Sequence, residues 1–455
     1  MEDIPKWVIE VSSKVRNIAH TSMELENWKK HSIYKLPARV IEINKKAYMP
    51  QAVSFGPYHH GKDHLKAMEE HKERVLLHFL KRCGKPLELI VQVLGQMVKD
   101  LRDSYDALDP LWKVDTPGFL QLMILDGCFM LEILRTVTDH FLEHSDYATN
   151  DPIFSNHGKL HFMPYIRRDM LMLENQLPML VLDTLLAVEQ PNKGQENEEL
   201  INKLILKFCS PGAATIPRMG KCLHVLDVYR KNIVLEEAPM YRSKGIRRRS
   251  TRSVGVGDEI IRSAIELYEA GILFEKSESS SLRDISFTGG VLRLPVVVVD
   301  DATESTFLNL IAFERFHVGA GNEVTSYIFF MDNLIDREMD VALLETRGII
   351  ENALGSDKAV AKLFNSLSKD ITLDPERELS VVHMKVSEYC RKPWNKWRAN
   401  LIQTYFRNPW AILSLIAAFF LFALTILQTV YSVRQYYQPG SAEPMPVPRP
   451  RLPRN

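Results

Sequence analysis

FLQLMILDGCFMLEIL, residues 119–134, is the stretch of sequence that decides the fold of this chain. It predicts a strongly apolar helix that Pro117 opens, because proline is favoured in the first helical turn. Asp126 and Glu132 lie six residues apart and so do not share a helix face. A buried carboxylate can have a raised pKa and act as an acid. Glu132 can pair with Arg135 one turn on, and we favour such structural pairing over catalysis.

Residues 170–186 form a second apolar run, interrupted by Glu174, Pro178 and Asp183. The charges and the proline argue against a membrane span, so we predict two buried core helices that meet at Pro178. Further helices are predicted over residues 4–27, 62–82, 86–108, 303–316, 325–337, 341–350, 357–367 and 376–406.

Strand-like sequence is confined to residues 272–300, where short apolar runs are separated by serines and by a pair of glycines. Ile285 and Phe287 alternate with polar neighbours, which indicates an antiparallel strand. Residues 296–299 are all valine, a β-branched residue that favours strands. The fold class is therefore mainly α (α+β): a large helical body with a small antiparallel β insert of two or three strands.

The C-terminal region carries no charged residue from 408 to 433, and its centre, residues 411–430, reads AILSLIAAFFLFALTILQTV. Twenty residues at about 1.5 Å each span about 30 Å, the thickness of a bilayer's hydrocarbon core. Tryptophan and tyrosine residues flank the run on both sides, as they do at membrane interfaces. We predict a transmembrane helix rather than a buried core helix, anchored by Ala411, Phe419, Phe420, Leu424 and Val430.

Basic residues lie mainly before this span. Five basic residues precede it: Arg391, Lys392, Lys396, Arg398 and Arg407. In the 15 residues after it, Arg434 is the only basic residue. The positive-inside rule then places the large N-terminal part in the cytoplasm. The acidic start Glu2-Asp3 lacks the pattern of a signal peptide. We expect post-translational insertion of a single-pass, C-terminally anchored protein into a membrane that the sequence does not identify.

Composition excludes several classes of protein. The 57 basic and 57 acidic residues cancel, which argues against a polycation that wraps nucleic acid. The five cysteines contain no C-x-x-C pair, so neither a disulfide framework nor a zinc site is indicated. Glycine is scarce, at 21 residues, and phosphate-binding loops and G-x-S-x-G are absent. No cofactor, nucleic acid or small-molecule substrate is predicted.

Histidine and glutamate clusters offer an enzymatic alternative. His140, Glu143 and His144 match H-x-x-E-H, an inverted zinc-protease signature, but no third ligand is placed nearby. A second cluster consists of His59, His60 and His64, and we favour structural roles for these side chains. The pair Glu314 and His317 resembles half of a di-iron site whose second copy is missing.

One basic loop, residues 241–257, contains no acidic residue before Asp258. Its centre holds Arg247, Arg248, Arg249, Ser250 and Arg252. The loop could contact anionic lipid, and phosphorylation of Ser250 would reduce its positive charge. A solvated loop without a partner is the simpler interpretation.

The sequence resembles the plant family called domain of unknown function 247. The resemblance covers about residues 35–435 and rests on many ordered motifs, which include AYMP (47–50), VSFGPYHHG (53–61), LDGCF (125–129), LMLENQLP (171–178), NLIAFE (309–314) and YFRNPW (405–410). It departs from the family pattern at Phe55, where a small aliphatic residue is expected, and at Arg315-Phe316, where Gln-Cys is expected. The resemblance implies a plant membrane protein without established catalytic residues.

The resulting organisation has an N-terminal helical extension (1–34), a helical body (35–406) that contains the basic loop, a transmembrane helix (408–433) and a disordered proline-rich tail (434–455). The function that we expect is a membrane-anchored, non-enzymatic module that binds unknown protein partners in recognition or signalling. The alternative is a membrane-associated hydrolase or metal-dependent enzyme that uses one of the His/Glu clusters.

Overall fold

The apolar stretch around residue 126 forms the central helix of the body in a computed structural model. This helix, α7 (Thr116–Arg135), begins where the side chain of Asp115 accepts a hydrogen bond from the Gly118 N–H at 2.9 Å. Pro117 lies in its first turn, as predicted. Fourteen of its twenty residues are buried, including Asp126 and Glu132. The helix is therefore a central part of the core.

The structure describes residues 5–16, 30–138, 146–191, 195–211, 217–235, 262–369, 371, 379–392 and 409–437. The α-helices of these residues are α1 (Lys6–Arg16), α2 (Ala38–Ile43), α3 (Lys66–Cys83), α4 (Leu87–Gln96), α5 (Val98–Asp103), α6 (Pro110–Val114), α7, α8 (Asn156–His161), α9 (Met163–Met170), α10 (Met179–Glu189), α11 (Gln195–Cys209), α12 (Val225–Val234), α13 (Ala264–Glu269), α14 (Thr303–Phe316), α15 (Glu323–Leu334), α16 (Glu338–Thr346), α17 (Asp357–Leu367), α18 (Ser380–Arg391) and α19 (Pro409–Tyr437). Two short 3₁₀ helices cover Lys45–Tyr48 and Asp63–Leu65.

Helix α7 is surrounded by helices from the first half of the chain. It packs along α3 and against α4 and α10, and α11 also reaches it. A second group of helices packs around α14, which contacts α15, α17 and the 3₁₀ helix Lys45–Tyr48. The mainly helical class that the sequence predicted is thereby confirmed.

The structure also contains two short sheets. Strands β1 (Leu273–Lys276), β2 (Ser286–Thr288) and β3 (Val291–Leu294) form one sheet in the order β1-β3-β2. Strand β3 pairs in parallel with β1 and antiparallel with β2. Strand β4 (Val297–Val299) leaves this sheet and pairs in parallel with β5 (Ile350–Asn352). The predicted antiparallel insert is therefore wrong in two respects: the sheet is mixed, and the valine run pairs with a distant segment.

Residues 171–178 contradict the predicted pair of helices that meet at Pro178. Helix α9 ends at Met170 and α10 begins at Met179, and the residues between them form turns and irregular backbone. All of these residues are buried. Buried backbone outside a helix needs other hydrogen-bond partners, and polar side chains of this segment supply them, as described below.

The chain divides into two compact units, residues 1–268 with 272–388, and residues 269–271 with 389–455. Helix α19 belongs to the second unit. Two described helices are long and apolar enough to cross a membrane: Thr116–Arg135, which is mostly buried in the body, and Leu413–Tyr437, which is not buried at all. In the latter, the hydroxyls of Thr425 and Thr429 donate to carbonyls one turn back at 2.7 Å each.

Candidate functional site

Residues 50–61, which include the VSFGPYHHG motif, have no regular secondary structure beyond turns, and we call them the signature loop. Its first three amides converge on one carboxylate. The Asp169 side chain accepts hydrogen bonds from the N–H groups of Gln51, Ala52 and Val53 at 2.6–3.1 Å. Burial raises the pKa of Asp169 to about 6, although these amide bonds oppose the shift. The carboxylate thus replaces the backbone partner that a strand would have supplied.

Asn175, in the irregular segment 171–178, holds the middle of the signature loop. Its Oδ1 accepts from the Phe55 N–H at 2.7 Å, and its Nδ2 donates to the Val53 carbonyl at 3.0 Å. The next amide, Gly56 N–H, donates to Asp126 at 2.7 Å. Gly56 has φ +72°, and a Cβ there would lie 2.7 Å from the Gln176 carbonyl oxygen, so only glycine fits.

A fully buried lysine completes the loop's environment. The Lys72 ammonium lies 2.7 Å from Asp126 Oδ1, and both side chains have no exposed surface. It also donates to the Ser54 carbonyl at 2.7 Å and to Glu69 at 2.8 Å. The ammonium is therefore held by one ion pair and by hydrogen bonds to Ser54 and Glu69. Burial raises the pKa of Asp126, and Lys72 and the Gly56 amide counteract that effect.

The three histidines of the predicted cluster have different partners. His59 Nε2 lies 3.4 Å from Glu174, and burial lowers the His59 pKa. His60 stacks edge-on against Trp112, whereas His64 Nε2 contacts the Pro50 carbonyl at 3.1 Å. Within the residues that the structure describes, no group of three or more His, Cys, Asp or Glu side chains could hold a metal ion.

The other carboxylate on α7 is bound from several directions. Glu132 accepts from Arg135 at 2.7 Å, which confirms the predicted pair, and also from Arg82 and from the Tyr147 hydroxyl. Glu189 bridges the two arginines. As predicted, Glu132 and Asp126 have separate partners on separate faces of the helix.

Glu314 and His317 also lie in structural contacts. Glu314 accepts from Arg230 at 2.7 and 3.0 Å and from the Thr325 N–H at 2.8 Å, at the first turn of α15. A carboxylate is favoured there by the helix dipole. His317 Nδ1 lies 3.1 Å from the Tyr34 hydroxyl. The two residues therefore point to different neighbours and do not form a half-site for a metal pair.

One open cleft of about 550 Å³ lies beside the start of the signature loop. His64 and His71 line one side of it, and Phe162 and Tyr165 line another. Phe162 is 38% exposed and Tyr165 is 52% exposed, although both are large aromatic residues.

Several predicted site residues lie outside the described residues. These are the basic loop residues Arg247, Arg248, Arg249, Ser250 and Arg252, and the H-x-x-E-H residues His140, Glu143 and His144. Of the anchor residues, Ala411 lies within α19, and the side chains of Phe419, Phe420, Leu424 and Val430 are each more than half exposed.

The sequence reasoning overlooked Lys72, Asp169 and Asn175. A signal for Lys72 was present, because it follows Met68 by four residues and precedes Val75 by three, which places it on the apolar face of its helix. For Asp169 there was no comparable signal, since its partners are backbone amides more than a hundred residues away. Asn175 lies in the LMLENQLP motif, but its partner Phe55 is equally distant in sequence.

Comparison with known proteins gives a consistent result. A family model described as a plant protein of unknown function, DUF247, matches residues 33–424. UPF0481 protein At3g47200 of Arabidopsis thaliana is 31% identical over 447 residues, which cover 92% of this chain and 90% of that protein. A second protein of Arabidopsis thaliana, putative UPF0481 protein At3g02645, is 22% identical. The match covers 94% of this chain and 94% of that protein. No solved structure matches the chain.

Proposed function

The chain belongs to the DUF247 family of plant proteins of unknown function, and from that premise we propose that it is a membrane-anchored protein whose helical body binds other proteins. In this proposal the body has no catalytic role. The alternative proposal is that the protein is a hydrolase or a metal-dependent enzyme that uses one of the histidine clusters.

The single observation that carries the anchor is helix α19. Its stretch Leu413–Tyr437 is long and apolar enough to span a bilayer, and none of it is buried. Burying one aliphatic or aromatic side chain of this size is favourable by about 1.5–3 kcal/mol relative to leaving it in water. A helix that exposes so many of them is therefore costly in water. The hydroxyls of Ser414, Thr425 and Thr429 bond back to the helix, which makes them tolerable in lipid.

The orientation of the anchor is proposed from charge. Five basic residues lie between 391 and 407, and Arg434 is the only one in the 15 residues after the span. The side with more lysine and arginine remains in the cytoplasm. We therefore place the helical body in the cytoplasm.

A non-enzymatic body is supported by how the motif residues are used. Gly56, Asp126 and Asn175 lie in motifs that carry the family resemblance. In the core, Asp126 accepts from the Gly56 N–H, and Asn175 accepts from the Phe55 N–H. Asn309, from another motif, accepts from the Leu173 N–H at 2.9 Å. Because these polar groups are engaged in holding the scaffold, we place the binding function on the surface of the body.

Membrane insertion is tested by alkaline carbonate extraction of membranes that contain the full chain. We expect the chain to remain in the pellet. The double variant Phe420→Arg/Leu424→Arg should move to the supernatant, since arginine at the centre of a span costs about 2.5–3.5 kcal/mol per residue. Gln435→Arg, near the end of α19, is the matched control and should stay in the pellet. Extraction of the unmodified chain would contradict the anchor.

The binding role is tested by proximity labelling from the N-terminus of the full chain. The control carries the same ligase on residues 393–455 alone, which tether it to the same membrane. We expect a set of proteins that only the full chain labels. Identical labelling by both proteins would contradict a binding role for the body.

Metal analysis of the purified full chain separates the enzymatic alternative from this proposal. We expect no zinc or iron in stoichiometric amount. A stoichiometric metal that disappears in His60→Ala and His64→Ala variants would favour the enzyme.

A further inference from the structure

The cleft beside the signature loop has the size of a ligand site. Its volume of about 550 Å³ lies within the roughly 300–1,000 Å³ of small-molecule pockets. The floor is apolar, with Met68 and Ile153 buried beneath it. Phe162 and Tyr165 stand at its rim with much of their ring surface exposed. Two exposed rings over a buried aliphatic floor can pack against the rings of an aromatic molecule.

The lining of the cleft contains no permanently charged side chain. None of its ten residues is Lys, Arg, Asp or Glu. Several charged groups next to the lining are already paired: Arg74 binds Asp151, Arg168 donates to the Met49 carbonyl, and Asp169 is bonded to three amides. Glu70, beside His71, is exposed to solvent. A charged ligand would lose hydration without gaining a counter-charge. The lining thus favours an uncharged ligand.

The two histidines present opposite hydrogen-bonding groups. His71 Nδ1 lies 3.4 Å from the Arg74 guanidinium, which can only donate, so Nδ1 accepts and Nε2 carries the proton. His64 Nε2 lies 3.1 Å from the Pro50 carbonyl, which can only accept, so Nε2 donates, and Nδ1 is then the acceptor of the neutral ring. Burial and Arg74 lower the His71 pKa, which keeps this ring neutral.

We propose that this cleft binds a neutral aromatic small molecule that carries one hydroxyl donor and one carbonyl acceptor. The ligand's rings lie against Phe162 and Tyr165 over Met68. His64 Nδ1 accepts from its hydroxyl group, and His71 Nε2 donates to its carbonyl group. The site does not depend on the membrane anchor or on a protein partner.

The test uses 4-(hydroxymethyl)benzophenone as the probe. It has two aromatic rings, a ketone and a non-ionising hydroxyl, and on irradiation it inserts into nearby C–H bonds. The full chain is held in lipid nanodiscs, and labelled peptides are located by mass spectrometry, so probe dissolved in lipid does not affect the readout. We expect saturable labelling at Met68 and in the peptide of α9.

Two variants and a second probe isolate the proposed contacts. Phe162→Ala removes an aromatic wall and should reduce labelling about tenfold at subsaturating probe. Leu160→Ala is the matched control, because Leu160 is 70% exposed and does not line the cleft. Benzophenone-4-carboxylate tests the neutrality of the site and should label at least about tenfold less than the alcohol.

Saturable labelling of the cleft that Phe162→Ala weakens and Leu160→Ala does not would support the proposal. The proposal is overturned if labelling does not saturate, if both variants label equally, or if the carboxylate labels as well as the alcohol. Circular dichroism of Phe162→Ala checks that the helices persist, and His71→Leu provides an independent variant of the same site with the same expected loss.

Discussion

Lys72 and Asp126 form an ion pair with no exposed surface, which is uncommon because each charge loses its hydration on burial. The pair is sustained by further hydrogen bonds, from the ammonium to Ser54 and Glu69 and from the Gly56 amide to Asp126. The two charges thereby fix the signature loop to α3 and α7.

Substitution Lys72→Met should destabilise the protein by about 3–5 kcal/mol, because Asp126 would remain buried without its cation. Adding Asp126→Asn should recover part of this loss, since asparagine is neutral and still accepts from Gly56. The free energy of unfolding from urea titrations measures both effects.

The control is Lys66→Met, on the same helix. Lys66 pairs with Asp63 at 2.6 Å, but both side chains are well exposed, so little change is expected. An equal loss of stability for Lys66→Met and Lys72→Met would contradict the role assigned to the buried pair.

Asp183 predicts a pH dependence of stability. Its Oδ1 is buried without a hydrogen-bond partner within the described part of the chain. Burial, and then Glu198, raise its pKa to about 6. Because the folded protein binds this proton more tightly than the unfolded chain, the contribution is fully present below about pH 4 and is lost as the pH rises through about 6. Asp183→Asn should reduce the dependence of stability on pH between about 4 and 6. It should also stabilise the protein at pH 7 by about 1 kcal/mol, after allowance for the partial exposure of the Asp183 side chain. Melting temperatures from pH 4 to pH 8 measure the effect, and an unchanged slope would contradict it.

Among the helices, the contact between α7 and α10 depends on a glycine. A Cβ at Gly127 would lie 2.6 Å from Leu185 Cδ1 and 2.7 Å from Val181 Cγ1, both in buried side chains. Gly127→Ala should therefore destabilise the protein by about 1–3 kcal/mol through overpacking, despite the higher helix propensity of alanine. The melting temperature of Gly127→Ala, compared with that of the control variant below, measures this loss of stability.

Gly95→Ala is the matched control in α4. A Cβ there would meet only Leu120 Cδ1 at 3.8 Å, so alanine should be neutral or stabilising by up to about 1 kcal/mol. A Gly127→Ala protein as stable as the Gly95→Ala protein would show that the helices can separate without cost.

The helices were predictable because apolar periodicity is a local property of the sequence. The boundaries of α3 and α17 follow it closely. Residues 171–178 could not be predicted in this way, since their apolar run looks helical. The backbone departs from a helix there because Asn175 and Gln176 use their side chains to bind other backbone groups, including Val53 and Met170. The pairing of β4 with β5 was equally hidden, because it joins segments about 50 residues apart.

The site was less predictable than the fold. His59, His60 and His64 are close together in sequence, and structural roles were favoured for them; in the structure they contact different partners. The cleft brings together residues from 51–71 and 152–165, and only the tertiary fold places its aromatic and histidine side chains in one cleft.

At the scale of the whole molecule, the family motifs hold the interior and the exposed features lie elsewhere. The buried carboxylates serve the scaffold, the cleft lies at the surface of the body, and α19 presents an apolar surface that is not buried. This division leads to the central claim, which is that the body is a binding module held at the cytoplasmic face of a membrane.

A protease-protection assay on sealed membranes tests that claim most directly. The full chain carries one tag before Met1 and another after Asn455, and protease is added on the cytoplasmic side. We predict that the N-terminal tag and the body are digested, while a small fragment with α19 and the C-terminal tag stays protected until detergent is added. Protection of the body, or digestion of both tags in intact membranes, would contradict the account.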